Sequence, residues 1–192
     1  VDPRKENHPI YREQADYYEG QLTMFETMKK VDFYCEAAED FYYDGYEDTF
    51  DIIFTSPPYF NIERYGNDDN QSWVRYKDID SWNYQFLQKS LDSMIPTLKS
   101  GGKLCVNISD VNAKTKGGAQ YLKICDPMNE FLDEYRDMEY IGCIGMEMAK
   151  RPNSGGAGTA KDNNQFKEKT LEMVEKNKDK IFCEPIWIWE KK

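Results

Sequence analysis

Phe50-Asp51-Ile52-Ile53-Phe54-Thr55-Ser56-Pro57-Pro58-Tyr59-Phe60 decides how this chain of 192 residues is read. Asp51 to Phe54 is a short β-branched and aromatic run of the kind that forms a buried strand, and Thr55-Ser56-Pro57-Pro58-Tyr59 stops it at once. Two successive prolines fix φ and remove two backbone donors. They also push the residues before them into extended geometry, which excludes a helix interior or a central strand. The segment therefore predicts a rigid platform at a strand end. The carbonyls of Ser56 and Pro57 have no proline N–H beside them to pair with, and Tyr59 adds a flat ring. Acceptors for an NH₂ group next to a stacking surface suit a planar ring bearing an exocyclic amine. A plain Pro-Pro turn with a core tyrosine is the competing reading.

Thr55-Ser56-Pro57-Pro58-Tyr59 after the Asp-Ile-Ile-Phe strand resembles the catalytic motif of the S-adenosylmethionine-dependent amino-methyltransferases of DNA. In that family Asp, Asn or Ser precedes Pro-Pro and an aromatic residue. The resemblance implies that Ser56, Pro57 and Pro58 hold the target amine of adenine or cytosine and that Tyr59 stacks on the flipped base. It also implies S-adenosylmethionine as cofactor and DNA as partner, with RNA or a protein glutamine as other sources of an amine. Such an amine is a weak nucleophile because its lone pair is delocalised into the ring. Acceptors on its hydrogens localise that pair, so positioning and electrostatics suffice without a covalent intermediate.

Other site residues follow from the same resemblance. Asp2 stands where an acid after the second strand would take the cofactor ribose hydroxyls, although an Asp-Pro turn explains it equally well. Glu36 or Ala37, after a predicted strand Val31–Cys35, would meet the cofactor adenine, and Thr55 would border the cofactor. Phe60, Asn61, Trp73 and Arg75 lie in a polar, aromatic-studded stretch suited to substrate contact, and Asn107 emerges from a later strand beside Ser56. The family's glycine-rich turn would precede Val1. The expected chain is thus the larger, C-terminal part of a Rossmann-like class I methyltransferase sandwich, with the first strand absent or supplied elsewhere.

The rest of the pattern is α/β, with a mostly parallel sheet in a single domain over 1–192. Residues 10–30 predict a helix covering the sheet, with Tyr18, Leu22 and Phe25 on one face. His8 reads as a surface residue. Ser81 to Lys99 predicts a helix with Leu87, Leu91, Met94, Ile95 and Leu98 on one stripe, ended by Gly101-Gly102 and followed by a strand at 103–108. This strand–helix–strand unit requires a parallel pair. Val111 to Gln120 reads as a loop, Met128 to Tyr135 as a short amphipathic helix, and Tyr140 to Met148 as a strand. Residues 150–180 read as a flexible charged insertion whose Lys150 and Arg151 are candidates for DNA contact. Ile181 to Trp189 is the final strand, with Pro185 favouring an edge or a bulge.

Composition sets limits. A net charge of −10, from 35 acidic against 25 basic residues, opposes non-specific binding to nucleic acid, so a partner domain or subunit is expected to supply a basic surface. The five cysteines are odd in number and widely spaced, which fits reduced thiols and a cytoplasmic or nucleoid-associated protein rather than a metal site or disulfide scaffold. No apolar run has transmembrane length. A non-catalytic subunit built on the same fold is the alternative to an enzyme.

Overall fold

The computed structural model describes residues 1–21, 31–115, 118–147 and 183–192. In chain order, α1 (His8–Glu19) precedes a long irregular stretch and β1 (Phe50–Thr55). Two one-turn helices, α2 (Ser72–Arg75) and α3 (Ile79–Trp82), follow. The second runs through a π-helical stretch, Asn83–Gln88, into α4 (Lys89–Met94) and a 3₁₀ turn, Ile95–Thr97. Then come β2 (Leu98–Asn107), a hairpin of β3 (Val111–Thr115) and β4 (Gly118–Leu122), α5 (Cys125–Asp133), β5 (Met138–Glu147) and β6 (Cys183–Lys191).

The main sheet has the order β1-β2-β6-β5. β1 and β2 are parallel, as their helical crossover demands, whereas β6 runs antiparallel to both β2 and β5. The described sheet is therefore mixed rather than mostly parallel, because the terminal pair contributes two antiparallel ladders. Val31 to Cys35, expected as a strand, joins no ladder among the described residues; Asp2 N–H donates to the Tyr34 carbonyl at 3.0 Å.

Residue parity assigns the two faces of the sheet. Ile53, Leu104, Val106, Trp187 and Trp189 face the helical layer, where Phe86, Leu87, Leu91, Ile95, Met128 and Leu132 complete the core. Trp187 and Trp189 are buried and donate through Nε1 to the Ile108 carbonyl and to Asn129 Oδ1. On the opposite face Ile52 and Phe54 are 60% and 59% exposed. The motif strand is therefore an edge strand whose second face none of the described residues covers, not the buried strand that its composition predicts.

The helix before β2 runs as expected but stops earlier, at Ile95-Pro96-Thr97, since proline ends the ladder. Gly101 and Gly102 instead shape an irregularity inside β2, where the partner of Phe50 is Leu98 and that of Ile52 is Lys103. Gly101 has φ +80°, and a Cβ on Gly102 would lie 2.8 Å from the Lys99 carbonyl oxygen. Only glycine fits there.

Three further expectations change. α1 buries none of its residues, and Tyr18 is 65% exposed, so this helix does not cover the sheet; Leu22 and Phe25 lie outside the described residues. Val111 to Gln120 is a hairpin, with Thr115 opposite Gly118. β6 is central, yet β2 ends opposite Ile186, so Pro185 has a strand neighbour on one side only, which is the position a proline tolerates. Residues 150–180, with Lys150 and Arg151, lie outside the described residues.

Asp110 caps α5 from a distance. Its buried Oδ1 accepts from the N–H groups of Ile124 and Cys125 at 2.7 and 2.8 Å, and Oδ2 accepts from the Tyr121 hydroxyl at 2.9 Å. Ile124 sits at the cap position and has no side-chain acceptor of its own. Asp110→Ala strands two buried donors, and urea denaturation is expected to show a loss of about 2–4 kcal/mol.

Candidate functional site

β1 delivers the Ser56-Pro57-Pro58 platform to the wall of a cavity of about 450 Å³, within the range of small-ligand sites. The same cavity is lined by Asp2, Ala37 and Thr55, which brings together three of the four residues expected at the cofactor and three of the four expected at the amine. Phe33 and Tyr34 contribute aromatic faces, and the π-helical stretch contributes Phe86 and Leu87. A π segment inserts an extra residue per turn and displaces side chains from the regular stripe.

Asp2 is a carboxylate solvated by protein donors. Oδ1 accepts from Arg4 N–H at 2.8 Å and from Arg4 Nε at 3.3 Å. Oδ2 accepts from the Tyr11 hydroxyl at 2.5 Å, Asn7 Nδ2 at 3.0 Å and Arg4 Nη2 at 3.2 Å. Burial alone would raise its pKa, but Tyr11, Arg4 and Asn7 together hold the carboxyl well below the usual range. His8, expected as a bystander, lies on the cavity wall, with Nε2 2.9 Å from the Asp2 carbonyl oxygen.

The motif is gripped from two other strands. Ser56 Oγ donates to Asn107 Oδ1 at 3.3 Å, and Asn107 Nδ2 donates to the Pro185 carbonyl at 3.1 Å. The Tyr59 hydroxyl donates to Glu184 Oε2 at 3.2 Å, while its backbone N–H donates to Glu63 Oε2 at 3.3 Å. Burial and then the Glu184 charge push the Tyr59 phenol far above its ordinary value, so it remains a donor. Tyr59 does not line the cofactor cavity; it leans on the core edge beside the platform.

Phe60 ends the motif at φ +50°, a left-handed conformation that strains a bulky residue. Its burial against Trp82, with ring centroids 6.1 Å apart, holds it there. Phe60 is therefore a core anchor rather than a substrate contact. Its backbone N–H donates to the Pro58 carbonyl at 3.0 Å, which makes the strained turn part of the platform.

The remaining expected residues divide. Glu36 is exposed and absent from the cavity wall, whereas Ala37 beside it is buried and on it. Arg75 is committed elsewhere: Nη1 lies 2.7 Å from both Glu39 Oε1 and Asp40 Oδ2. Glu39 is buried, and that burial pushes its carboxyl up despite Arg75 and Tyr76. Trp73 pins its loop through Nε1–H to the Gly66 carbonyl at 2.9 Å, and the Asn61 carbonyl accepts from Arg64 Nε at 3.1 Å. Sequence reasoning missed Tyr11, Glu39 and Ser90 on this cavity and Glu184 at the motif. Tyr11 had a usable signal, since it falls on the first turns of the helix after Asp2; the others sit in irregular segments or far away in the chain.

One cavity wall thus carries a fixed carboxylate, aromatic faces and the Pro-Pro platform. A family model described as DNA methylase matches residues 50–192, which is most of the chain. The chain belongs to the DNA methylase family. No curated protein matches it by sequence. Among solved structures it is similar to a candidate DNA modification methylase of Thermus thermophilus complexed with S-adenosyl-L-methionine. Identity is 16% and TM-score 0.48, covering 81% of this chain and 53% of that one. It is also similar to a SAM-dependent methyltransferase from Methanosarcina mazei, at 11% identity and TM-score 0.47, covering 99% of this chain and 79% of that one. The chain spans about half the length of the Thermus protein. No helix among the described residues is long and apolar enough to cross a membrane.

Proposed function

We propose that this chain transfers methyl from S-adenosylmethionine to the exocyclic amine of a DNA base, with the Ser form of the motif favouring cytosine N4 over adenine N6. The observation that carries the reading is that one cavity is lined by both the Asp2 carboxylate and the Ser56-Pro57-Pro58 platform, although α1 and a long irregular stretch separate them along the chain.

The residues present fit the cofactor. Asp2 offers carboxylate oxygens to a diol, Phe33 and Tyr34 offer faces to a planar base, and the buried Ser90 hydroxyl on the wall has no hydrogen-bond partner among the described residues. S-adenosylmethionine, when bound, supplies an electrophilic methyl group. The chain's part is to hold the amine. The Ser56 and Pro57 carbonyls accept its two hydrogens and leave the nitrogen lone pair turned toward the methyl donor, while the Tyr59 ring stacks on the base. Asn107 and Glu184 fix Ser56 and Tyr59 in place for that work.

A second reading, a non-catalytic subunit of the same fold used for assembly or nucleic-acid recognition, is favoured by one observation. Asp2 already accepts five hydrogen bonds within its own segment, so a diol must displace the Arg4 side chain or Tyr11 to reach it. RNA or a protein amine as substrate, a partner that adds a basic surface, and a cytoplasmic or nucleoid setting are further parts of the proposal.

The deciding experiment is transfer of labelled methyl from S-adenosylmethionine to DNA by the full-length protein, with the product nucleosides separated. Label on 4-methylcytosine or 6-methyladenine is the expected outcome and identifies the base. Absence of both cofactor binding and label on DNA, RNA or protein overturns the enzyme reading in favour of the subunit.

A further inference from the structure

The loop that follows the motif presents cations in an arrangement that neither the family motif nor the cofactor cavity uses. Most cations among the described residues are neutralised by acids: Arg4 by Asp2, Arg75 by Glu39 and Asp40, Lys89 by Asp40, Lys99 by Asp51, Lys103 by Glu190, and Lys191 by Asp48. Arg64 and Lys77 differ. Both are exposed, and neither has an ion pair among the described residues.

Both gather on one indole. The Arg64 guanidinium carbon lies 4.9 Å and the Lys77 ammonium 5.4 Å from the centroid of the Trp73 ring. Trp73 is itself pinned by its bond to the Gly66 carbonyl, and Arg64 is steered by its bond to the Asn61 carbonyl. Two flexible cations are thus held together by a rigid aromatic plate, which removes part of the entropy an anion would otherwise have to freeze out. In a chain of net charge −10, two cations without an ion pair among the described residues stand together on the loop that leaves the Ser56–Tyr59 platform.

We infer that Arg64, Trp73 and Lys77 form a docking site for the phosphate backbone of the DNA strand that presents its base to the platform. The inference rests on the DNA-methylation reading and gives it a grip that the chain's net charge would otherwise deny. The ligand chemistry is a run of phosphodiesters. Two neighbouring cations match successive phosphates, and a planar fork with five donors beside a point charge suits their oxygens. The contact positions the strand and reads no sequence. It replaces Arg75, one of the cations that sequence reasoning put forward, whose charge is already taken up by Glu39 and Asp40.

The test is the salt dependence of binding of the full-length protein to a fluorescein-labelled DNA duplex, for the parent, the double variant Arg64→Gln/Lys77→Gln, and Arg136→Gln as a control on an exposed cation elsewhere. Loss of two phosphate contacts is expected to make the slope of log K against log salt shallower by about 2, equally for unrelated sequences, while Arg136→Gln leaves it unchanged. Methyl transfer at saturating DNA should persist in the double variant, because neither residue touches the cofactor cavity. A slope equal to the parent's, with binding intact, overturns the docking site even if methyl transfer occurs. A shallower slope in a protein that transfers no methyl upholds the docking site while the enzymatic reading fails.

Discussion

Asp2→Ala is expected to weaken S-adenosylmethionine binding by about a hundredfold or more in a calorimetric titration. A carboxylate that receives two hydroxyls makes two charge-assisted hydrogen bonds of about 1.5–3 kcal/mol each, and alanine replaces neither. The substitution also leaves Arg4, Asn7 and Tyr11 without their common acceptor. Arg4 keeps its contact with the ring of Tyr65, 4.8 Å from the centroid. The pH profile separates this role from general damage. Because the folded-state pKa of Asp2 is lowered, its contribution to stability is present above the ordinary carboxylate value and is lost only as pH falls through the folded one. Cofactor binding by the parent should accordingly hold steady from neutral pH down to about pH 5, where an ordinary carboxylate remains mostly ionised and Asp2 more so. Unchanged affinity in Asp2→Ala would remove Asp2 from the cofactor site.

Tyr59→Ala is expected to lower kcat/KM for methyl transfer by about 5–150-fold, the range set by losing one base–aromatic stack of about 1–3 kcal/mol. Tyr59→Phe keeps the ring but removes the donor to Glu184, so its loss should be smaller and should reflect the aim of the ring. In that variant the half-buried platform also acquires an unanswered carboxylate, and adding Glu184→Gln is expected to recover part of the rate. Full activity in Tyr59→Ala, measured at DNA concentrations below saturation, would make Tyr59 a packing residue and remove base stacking from the mechanism.

The fold was legible where local chemistry dictates it. Ile52 to Thr55, the apolar stripe Leu87-Leu91-Ile95 and the strand through Val106 are periodic signals, and together they required the parallel β1–β2 pair that is seen. The helix end was misjudged because Pro96 and Gly101-Gly102 are both stop signals, and only packing against Phe50 shows which one acts. On the cavity wall, Ser56-Pro57-Pro58 was readable because its backbone chemistry is unusual, and Asp2 through the family resemblance. Ala37, rather than Glu36, reaches the cavity because the loop after Cys35 has no periodicity from which a side-chain direction could be read. Arg75 and Arg64 look alike in sequence; what separates them is Glu39, a buried acid 36 residues from Arg75. The burial of β1 was overestimated because composition reports what a strand could bury, not which described residues lie over it.

The clamp on the motif also fixes when in the life of the chain the site can come into being. The Ser56–Asn107 contact spans 51 residues and the Tyr59–Glu184 contact spans 125. Contacts of such separation form late, since loop closure must precede them, and β6 can insert between β2 and β5 only after Cys183–Lys191 has left the ribosome. Nascent chains would therefore display Ser56-Pro57-Pro58-Tyr59 long before anything aims it, and competence would arrive with β6 rather than with the motif itself.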